Sequence, residues 1–442
     1  MARGRVVCLL GLGFGDCGKG LFTDALARRL GARLVVRYNG GAQAGHTVRL
    51  PDGRRHTFAQ FGAATFQPGV ATLLASPVVV EPLGLKVEAR CLEALGVEAP
   101  LARLRIDPRC LLATPWHGAL GRLRERDRGP AAHGTTGLGI GEAARDALER
   151  PDEVLRFGDL GRGPRVLEKL EALRSRCLEA CAMLTGVDAT CADLSLLQDR
   201  CLPAAWLQEA APLASLVDGS AERLPAALGR GEMVLFEGAQ GMLLDEGHGF
   251  HPHTAWGSPA PRAAEAVLAE AGGADVRHLG ILRSYLTRHG PGPLPTEDRE
   301  LDRLPEPDNG EEGWQGRFRR GHPDGVLLEY AVRSTGGLQG LLVSHLDAFE
   351  RGAALRWCEA YEPEGGGEAP GSRLEALPAE DLEARARLTE RLLRATPRYA
   401  PGPLAGPGAL VERLESTAGL RVLLASHGPT HLQVEALRPL EI

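Results

Sequence analysis

The sequence predicts an α/β protein: one large domain whose mainly parallel central sheet is flanked by helices. Three observations predict it. An apolar run at 6–10 (Val-Val-Cys-Leu-Leu) ends in glycines, then a helical pattern and a second apolar run at 34–38 follow. That is the β-loop-α-β unit from which parallel sheets are built. Further short runs without polar alternation suit strands buried on both faces. No Pro/Gly/Ser-rich linker divides the 442 residues, so 1–442 reads as a single elaborated domain.

In chain order, the first strand at 6–10 gives way to a glycine loop at 11–20. Leu21, Ala25, Leu26 and Leu30 then give 20–30 a helical spacing. After the strand at 34–38, strands are expected at 72–75, 78–80, 233–236, 279–282, 340–343 and 421–425. Helical patterns fill 83–95, 141–150, 164–184, 260–271, 326–334 and 379–395. The stretch 298–325 is polar and rich in Gly and Pro, and reads as a long mobile loop beside the substrate. The segment 362–372 reads as a surface loop. No internal repeat is found.

Composition narrows the function classes. Hydrophobic residues make up 43% and charged residues 24%, ordinary globular values that argue against disorder, collagen and coiled coil. Net charge is −6 and the isoelectric point about 6.1, so no basic field suggests nucleic acid as a partner. Three lysines (Lys19, Lys86, Lys169) stand against 48 arginines, a bias read as coding composition. The nine cysteines include no CxxC pair, and Cys177 and Cys181, four apart, read as helix residues. With no secretory start and no run near the ~20 apolar residues of a membrane span, a reducing cytoplasm is expected.

Gly13-Phe14-Gly15-Asp16-Cys17-Gly18-Lys19-Gly20 fits two templates. Gly13, Gly15 and Gly18 spell the dinucleotide fingerprint G-x-G-x-x-G. Gly13, Gly18 and Lys19 spell a phosphate loop, G-x-x-x-x-G-K, without its final Ser/Thr. A dinucleotide site wants an acid about 20 residues on, where the chain has Arg37-Tyr38-Asn39-Gly40. A phosphate loop wants a lysine, and Lys19 supplies it. Phosphate transfer is therefore preferred. Gly20 cannot hold Mg²⁺ as a Ser/Thr would, so Asp16 is read as a metal ligand, a general base, or both.

Five segments, in order, carry a resemblance. Gly15-Asp16-Cys17-Gly18-Lys19-Gly20 resembles the GDEGKG loop of the adenylosuccinate synthetase family. Val36-Arg37-Tyr38-Asn39-Gly40-Gly41-Ala42-Gln43-Ala44-Gly45-His46-Thr47 resembles VRYQGGxNAGHT. Gly134-Thr135-Thr136-Gly137-Leu138-Gly139-Ile140-Gly141 resembles GTTGRGIG. Phe236-Glu237-Gly238-Ala239-Gln240-Gly241 is similar to FEGAQG, and 287–297 to TRVGxGPFPTE. The family implies a phosphate-loop-like GTP-binding ligase fold. It also implies a reaction: L-aspartate joined to inosine monophosphate (IMP), through 6-phosphoryl-IMP, to give adenylosuccinate in purine biosynthesis. GTP would be co-substrate, with one Mg²⁺ per subunit, and the enzyme a homodimer.

The resemblance also implies roles. Asp16 matches the base that takes the proton from purine nitrogen 1, and, with the Gly45 carbonyl, the Mg²⁺ ligand. His46 matches the catalytic acid. Lys19 stabilises charge on the phosphoryl group, and Gln240 holds the purine edge. Gly15, Asp16, Cys17, Gly18, Lys19, Gly20, Gly45, His46, Thr47 and Arg319 fall to GTP. Ser344-His345-Leu346-Asp347 resembles the TKLD guanine signature, with Asp347 accepting from guanine. Ser426-His427-Gly428-Pro429 resembles a second guanine-side loop. Gln43, Thr136, Arg150, Gln240, Thr254 and Arg317 fall to IMP, Arg150 from the neighbouring subunit.

Departures are equally legible. Cys17 replaces an acid, Gln43 an asparagine, and His345 a lysine. Asp245, His248, His251 and His253 invite a zinc reading, set aside because the family lines nucleotide there. Trp314-Gln315-Gly316-Arg317-Phe318-Arg319-Arg320 stands where the family has Thr-Thr-Gly-Arg-x-Arg-Arg. Gln315, Gly316 and Arg317 would then meet aspartate without the threonine hydroxyls. Two readings compete: a paralogue ligating another amine or purine nucleotide, and a non-catalytic GTP-binding regulator. Asp16 and His46 together argue against the regulator.

Overall fold

The computed structural model describes residues 4–440 except 187, 189, 219, 311–312 and 364–370. Most of the expected surface loop at 362–372 thus lies outside the described residues. The central sheet has nine strands: β1 (Arg5–Gly11), β2 (Ala32–Arg37), β3 (Ala71–Leu74), β4 (Leu104–Ile106), β5 (Met233–Glu237), β6 (Val276–Arg283), β7 (Gly340–Ser344), β8 (Val422–Ser426) and β9 (Val434–Ala436). Their order is β9-β8-β7-β6-β1-β5-β2-β3-β4. All pairings are parallel except β8 with β9.

Alternation along β1 explains its central place. Val7 and Leu9 face a cluster with Phe22, Leu26, Val35 and Leu235. Val6, Cys8 and Leu10 face the opposite cluster with Val36, Phe236 and Leu341. Both faces are buried, so the run carries no polar alternation. Helix α1 (Lys19–Leu30) lays Leu21, Phe22, Ala25 and Leu26 on the first cluster. Gly18 and Gly31, both left-handed, bound it.

A second layer stands beyond the β4 edge. Helices Pro82–Ala94, Pro115–Arg128, Gly163–Ala182 and Leu202–Ala210 bury Trp116, Phe157, Trp206 and Leu170 together. Cys177 and Cys181 sit in this cluster, and burial pushes the Cys177 thiol up to about 12. They are helix residues, as expected.

The strand expected at 78–80 forms as Val79–Val80 and pairs with Leu111–Leu112 in a ladder of its own. One expectation is corrected. The stretch 298–325 holds order as well as loop. Phe318–Gly321 pairs antiparallel with Leu286–His289, and Leu301 and Leu304 bury against Tyr285 and Leu355. Polar composition hid those few apolar anchors.

Candidate active site

Parallel strands deliver their carboxyl ends to one edge, where the crevice of an open α/β sheet takes its ligand. A cavity of about 1030 Å³ lies there, lined by loops that follow β1, β2, β5, β6, β7 and β8. It gathers most of the residues that the sequence singles out.

The glycine loop turns through left-handed Gly15, Asp16 and Gly18 before α1 begins at Lys19. This aims the first amides of α1 at the cavity, an anion site by construction. Lys19 is buried and donates from Nζ to the Gln240 carbonyl at 2.6 Å. Cys17 Sγ lies 3.6 Å from the same ammonium. Asp16 faces His289: Oδ2 and Nε2 are 3.2 Å apart. Burial raises the Asp16 pKa, but His289, Arg283 and Lys19 outweigh it and hold the carboxyl below its usual range. The matching shift of His289 is upward, since Asp16 outweighs burial there.

His46 opens a short hairpin, His46–Arg49 with Arg55–Phe58, and is buried beside Glu237 at the end of β5. His46 Nδ1 and Glu237 Oε1 are 2.7 Å apart, and Glu237 Oε2 accepts from the Ala63 amide at 3.0 Å. Burial pushes His46 down to about 4, with Arg37 and Lys19 adding to it. Burial acts oppositely on Glu237, but His46, Arg37 and the Ala63 amide hold its carboxyl low. The pair is therefore a carboxylate with a neutral imidazole that donates from Nδ1, leaving Nε2 as the free ring nitrogen.

Gln240 sits in left-handed conformation just past β5. Its Oε1 receives Asn39 Nδ2 at 3.4 Å, while its Nε2 is buried without a partner among the described residues. Gln43 Oε1 is also a buried orphan, and both side chains line the cavity. Buried unpaired polar atoms facing one space mark a place for a polar ligand. Thr136 and Thr254 line it too, as do Gly45, Thr47, Gln315 and Gly316. The zinc reading finds no support: His248 pairs with Asp245 at 2.9 Å, and among the described residues no three His, Cys, Asp or Glu converge.

On the guanine side, His345 is left-handed and its ring is held by Arg283, whose Nη2 is 2.6 Å from Nε2. Arg283 also meets Glu306 at 2.8 Å, to which Tyr285 donates at 2.6 Å. Asp347 lines the cavity and pairs with Arg351 at 2.9 Å; its side chain caps no helix. Gly428 lines the cavity, whereas Leu346, Ser426 and His427 do not.

Three expected arginines are not brought to the cavity wall. Arg317 pairs with Asp302 at 2.7 Å. Arg319 pairs with Glu297 at 3.1 Å and donates to the Gly292 carbonyl. Arg150 caps the far end of the helix Ile140–Glu149, whose first turn lines the cavity. Conversely, the sequence reading missed Glu237, Arg283, Tyr285, Glu306 and His289. Two had signals. Glu237 is a carboxylate ending an apolar strand, and His289 stands where TRVGxGPFPTE has valine.

Comparison with known proteins agrees. A family model described as adenylosuccinate synthetase matches residues 8–395. The adenylosuccinate synthetase of Stenotrophomonas maltophilia is 38% identical over 369 residues, 82% of each chain. That of Legionella pneumophila is 32% identical over 449 residues, 98% of this chain and 99% of its own. The fully ligated Plasmodium falciparum adenylosuccinate synthetase superposes with a TM-score of 0.77 at 20% identity, covering 98% of this chain and 100% of that one. A cyanophage S-2L succinoaminodeoxyadenylate synthetase, bound to dGMP and to dATP as an energy donor, gives 0.60 at 16%, covering 99% and 96%. At those identities the two structures speak for the fold alone. The chain belongs to the adenylosuccinate synthetase family, GTP-dependent ligases that form a carbon–nitrogen bond between aspartate and IMP in purine biosynthesis.

Proposed function

We propose that this chain is itself the ligase that joins L-aspartate to IMP at the expense of GTP. One observation carries the reading: Asp16 and Lys19 of the glycine loop line one cavity with His46, which Glu237 backs from behind. A GTP-binding regulator needs amides and a lysine, but no carboxylate base and no buried acid pair.

The chemistry follows from what each group can do. The purine 6-oxygen is a poor leaving group until it is phosphorylated. Asp16 takes the proton from purine nitrogen 1 as oxygen 6 attacks the γ-phosphorus of GTP, and GDP leaves. Lys19 and the loop amides stabilise charge on the moving phosphoryl group. His46, neutral in the empty cavity, gains a proton at Nε2 when the charged phosphates enter and, backed by the Glu237 carboxylate, donates it to the developing charge. The aspartate amine then displaces phosphate from carbon 6. Gln240 Nε2, unpaired in the cavity, is placed to bond the purine edge.

Magnesium fits this donor set. The protein offers one carboxylate, Asp16, and the Gly45 carbonyl at the same cavity. Mg²⁺ keeps several waters and takes the rest of its shell from substrate phosphates, so it requires no more protein ligands than these. When bound it would offset charge on the phosphate oxygens.

Incubation with GTP, IMP and each amino acid in turn, read as product mass, tests the reading. Adenylosuccinate from aspartate alone is expected. Because Trp314 and Gln315 replace the two threonines, a second reading has another amine as the substrate. A product from a different amino acid, with aspartate ignored at saturation, would replace the first reading by the second.

A further inference from the structure

We infer that His289 is a positioning residue for Asp16, fixing the direction in which that carboxylate meets the purine. This rests on the assignment of Asp16 as base made above. His289 ends the strand Leu286–His289 and stands opposite Phe318 in the antiparallel pair. Its ring packs on Phe318 with centroids 4.7 Å apart, so the imidazole sits on a rigid ladder rather than a free loop. Nε2 lies 3.2 Å from Asp16 Oδ2 and 3.3 Å from Asn309 Oδ1. Both neighbours are oxygen acceptors, so Nε2 carries the proton, in a hydrogen bond to Asn309 and an ion-pair contact with Asp16. Nδ1 is buried without a partner among the described residues.

Asp16 needs such a partner more than most bases. It lies in a glycine-rich turn at φ 41°, a backbone region that non-glycine residues adopt reluctantly. A Cβ at neighbouring Gly15 would meet nothing within 4 Å, so little packing on that side restrains the turn. Among the described residues no other side chain pairs with this carboxylate: Lys19 spends its short bond on Gln240, and Arg283 is committed to His345 and Glu306. The histidine thus gives Oδ2 a fixed bearing, leaving the carboxylate's other lone pairs for purine and magnesium. A misplacement near 1 Å costs on the order of 10²-fold in such reactions. Valine, which the family motif has here, offers no donor, so this chain orients its base by a contact that its motif lacks.

Two variants separate this role from a packing role. His289→Val removes the donor but keeps a residue that suits the strand. His289→Gln returns an amide N–H near the Nε2 position. The readout is exchange of ¹⁸O from the β,γ-bridge of GTP, in the presence of IMP and magnesium and without aspartate, which reports reversible phosphoryl transfer. His289→Val should slow exchange at least tenfold and His289→Gln should recover to within about threefold of wild type, within the range set by lost positioning. Melting temperature, and IMP affinity of the magnesium-free protein by calorimetry, should stay unchanged in both. Exchange in His289→Val within twofold of wild type, or equal loss in both variants, overturns the inference. Absence of exchange in the wild type would instead overturn the function proposed above.

Discussion

Glu237 shows how much a single buried residue decides. Its carboxylate accepts from both His46 and the Ala63 amide, and it is fully buried. Glutamine has only one acceptor oxygen, so one of these donors would face an amide N–H. Leaving a buried donor unsatisfied costs about 1–3 kcal/mol, and the counter-charge for an imidazolium at His46 is lost as well. Glu237→Gln should therefore lower both the melting temperature and turnover, the latter by at least the 10² typical of a lost acid–base contribution. Thermal denaturation with steady-state assays checks both. Asp324 gives the pH counterpart away from the cavity. It caps Gly325–Thr335 through the Val326 and Leu327 amides and accepts from Tyr361 at 2.6 Å. Burial pushes its carboxyl up to about 6, against the opposing pull of those three donors. A raised folded pKa adds stability fully below the unfolded value and loses it as pH rises through about 6. Wild type should therefore gain on Asp324→Asn by about 1.3 kcal/mol as pH falls from 7 to 5. Denaturation of both proteins at the two pH values measures the difference; a gap that does not change sinks the assignment.

At the scale of elements, the loop at 314–316 carries the sharpest contrast with its family. The Arg126 guanidinium stacks on Trp314 at 5.0 Å, and a Cβ on Gly137 would meet the same indole at 2.8 Å. The indole thus docks the loop on the segment that holds Thr136. Trp314→Thr with Gln315→Thr removes a half-exposed cation–π contact of about 0.5–1 kcal/mol. It adds two hydroxyls, each able to give a carboxylate about 1.5–3 kcal/mol. The gain wins, so KM for aspartate should fall while KM for GTP and IMP holds. A rise in aspartate KM would place the amine elsewhere. Strands were legible because β1, β5 and β7 are buried on both faces, so their composition alone marks them. The three-residue β4 was not, being too short for any period. Helix Pro115–Arg128 was hidden by Gly118, Gly121 and a run of arginines. The glycine loop was legible because left-handed backbone and bare amides demand glycine, whereas Gln240 was legible only through its place in the FEGAQG resemblance. Glu237 and His289 were not, because their meaning lies in partners 191 and 273 positions away.

The whole molecule places Arg150 where it cannot serve its own cavity. The helix Ile140–Glu149 begins at the cavity wall and has ten residues, a length of about 15 Å. No arginine side chain spans that distance back. Near the same end Leu148 is exposed, and Leu138 lies exposed just before the helix. If two copies share their sites, with Arg150 reaching the neighbour's IMP, each active site draws on both chains. Complementation tests this without a structure. Asp16→Asn subunits carry a sound Arg150 but no base; Arg150→Ala subunits carry a sound Asp16 but lend no arginine. Each variant alone should be impaired, the first in turnover and the second in IMP affinity. Mixed and allowed to exchange subunits, they form heterodimers in which one site has both groups. Activity at low IMP should then exceed the sum of the two separate preparations and grow with total protein concentration. Strict additivity at every concentration would show that each chain's cavity is complete by itself, and Arg150 would then be a solvated helix end.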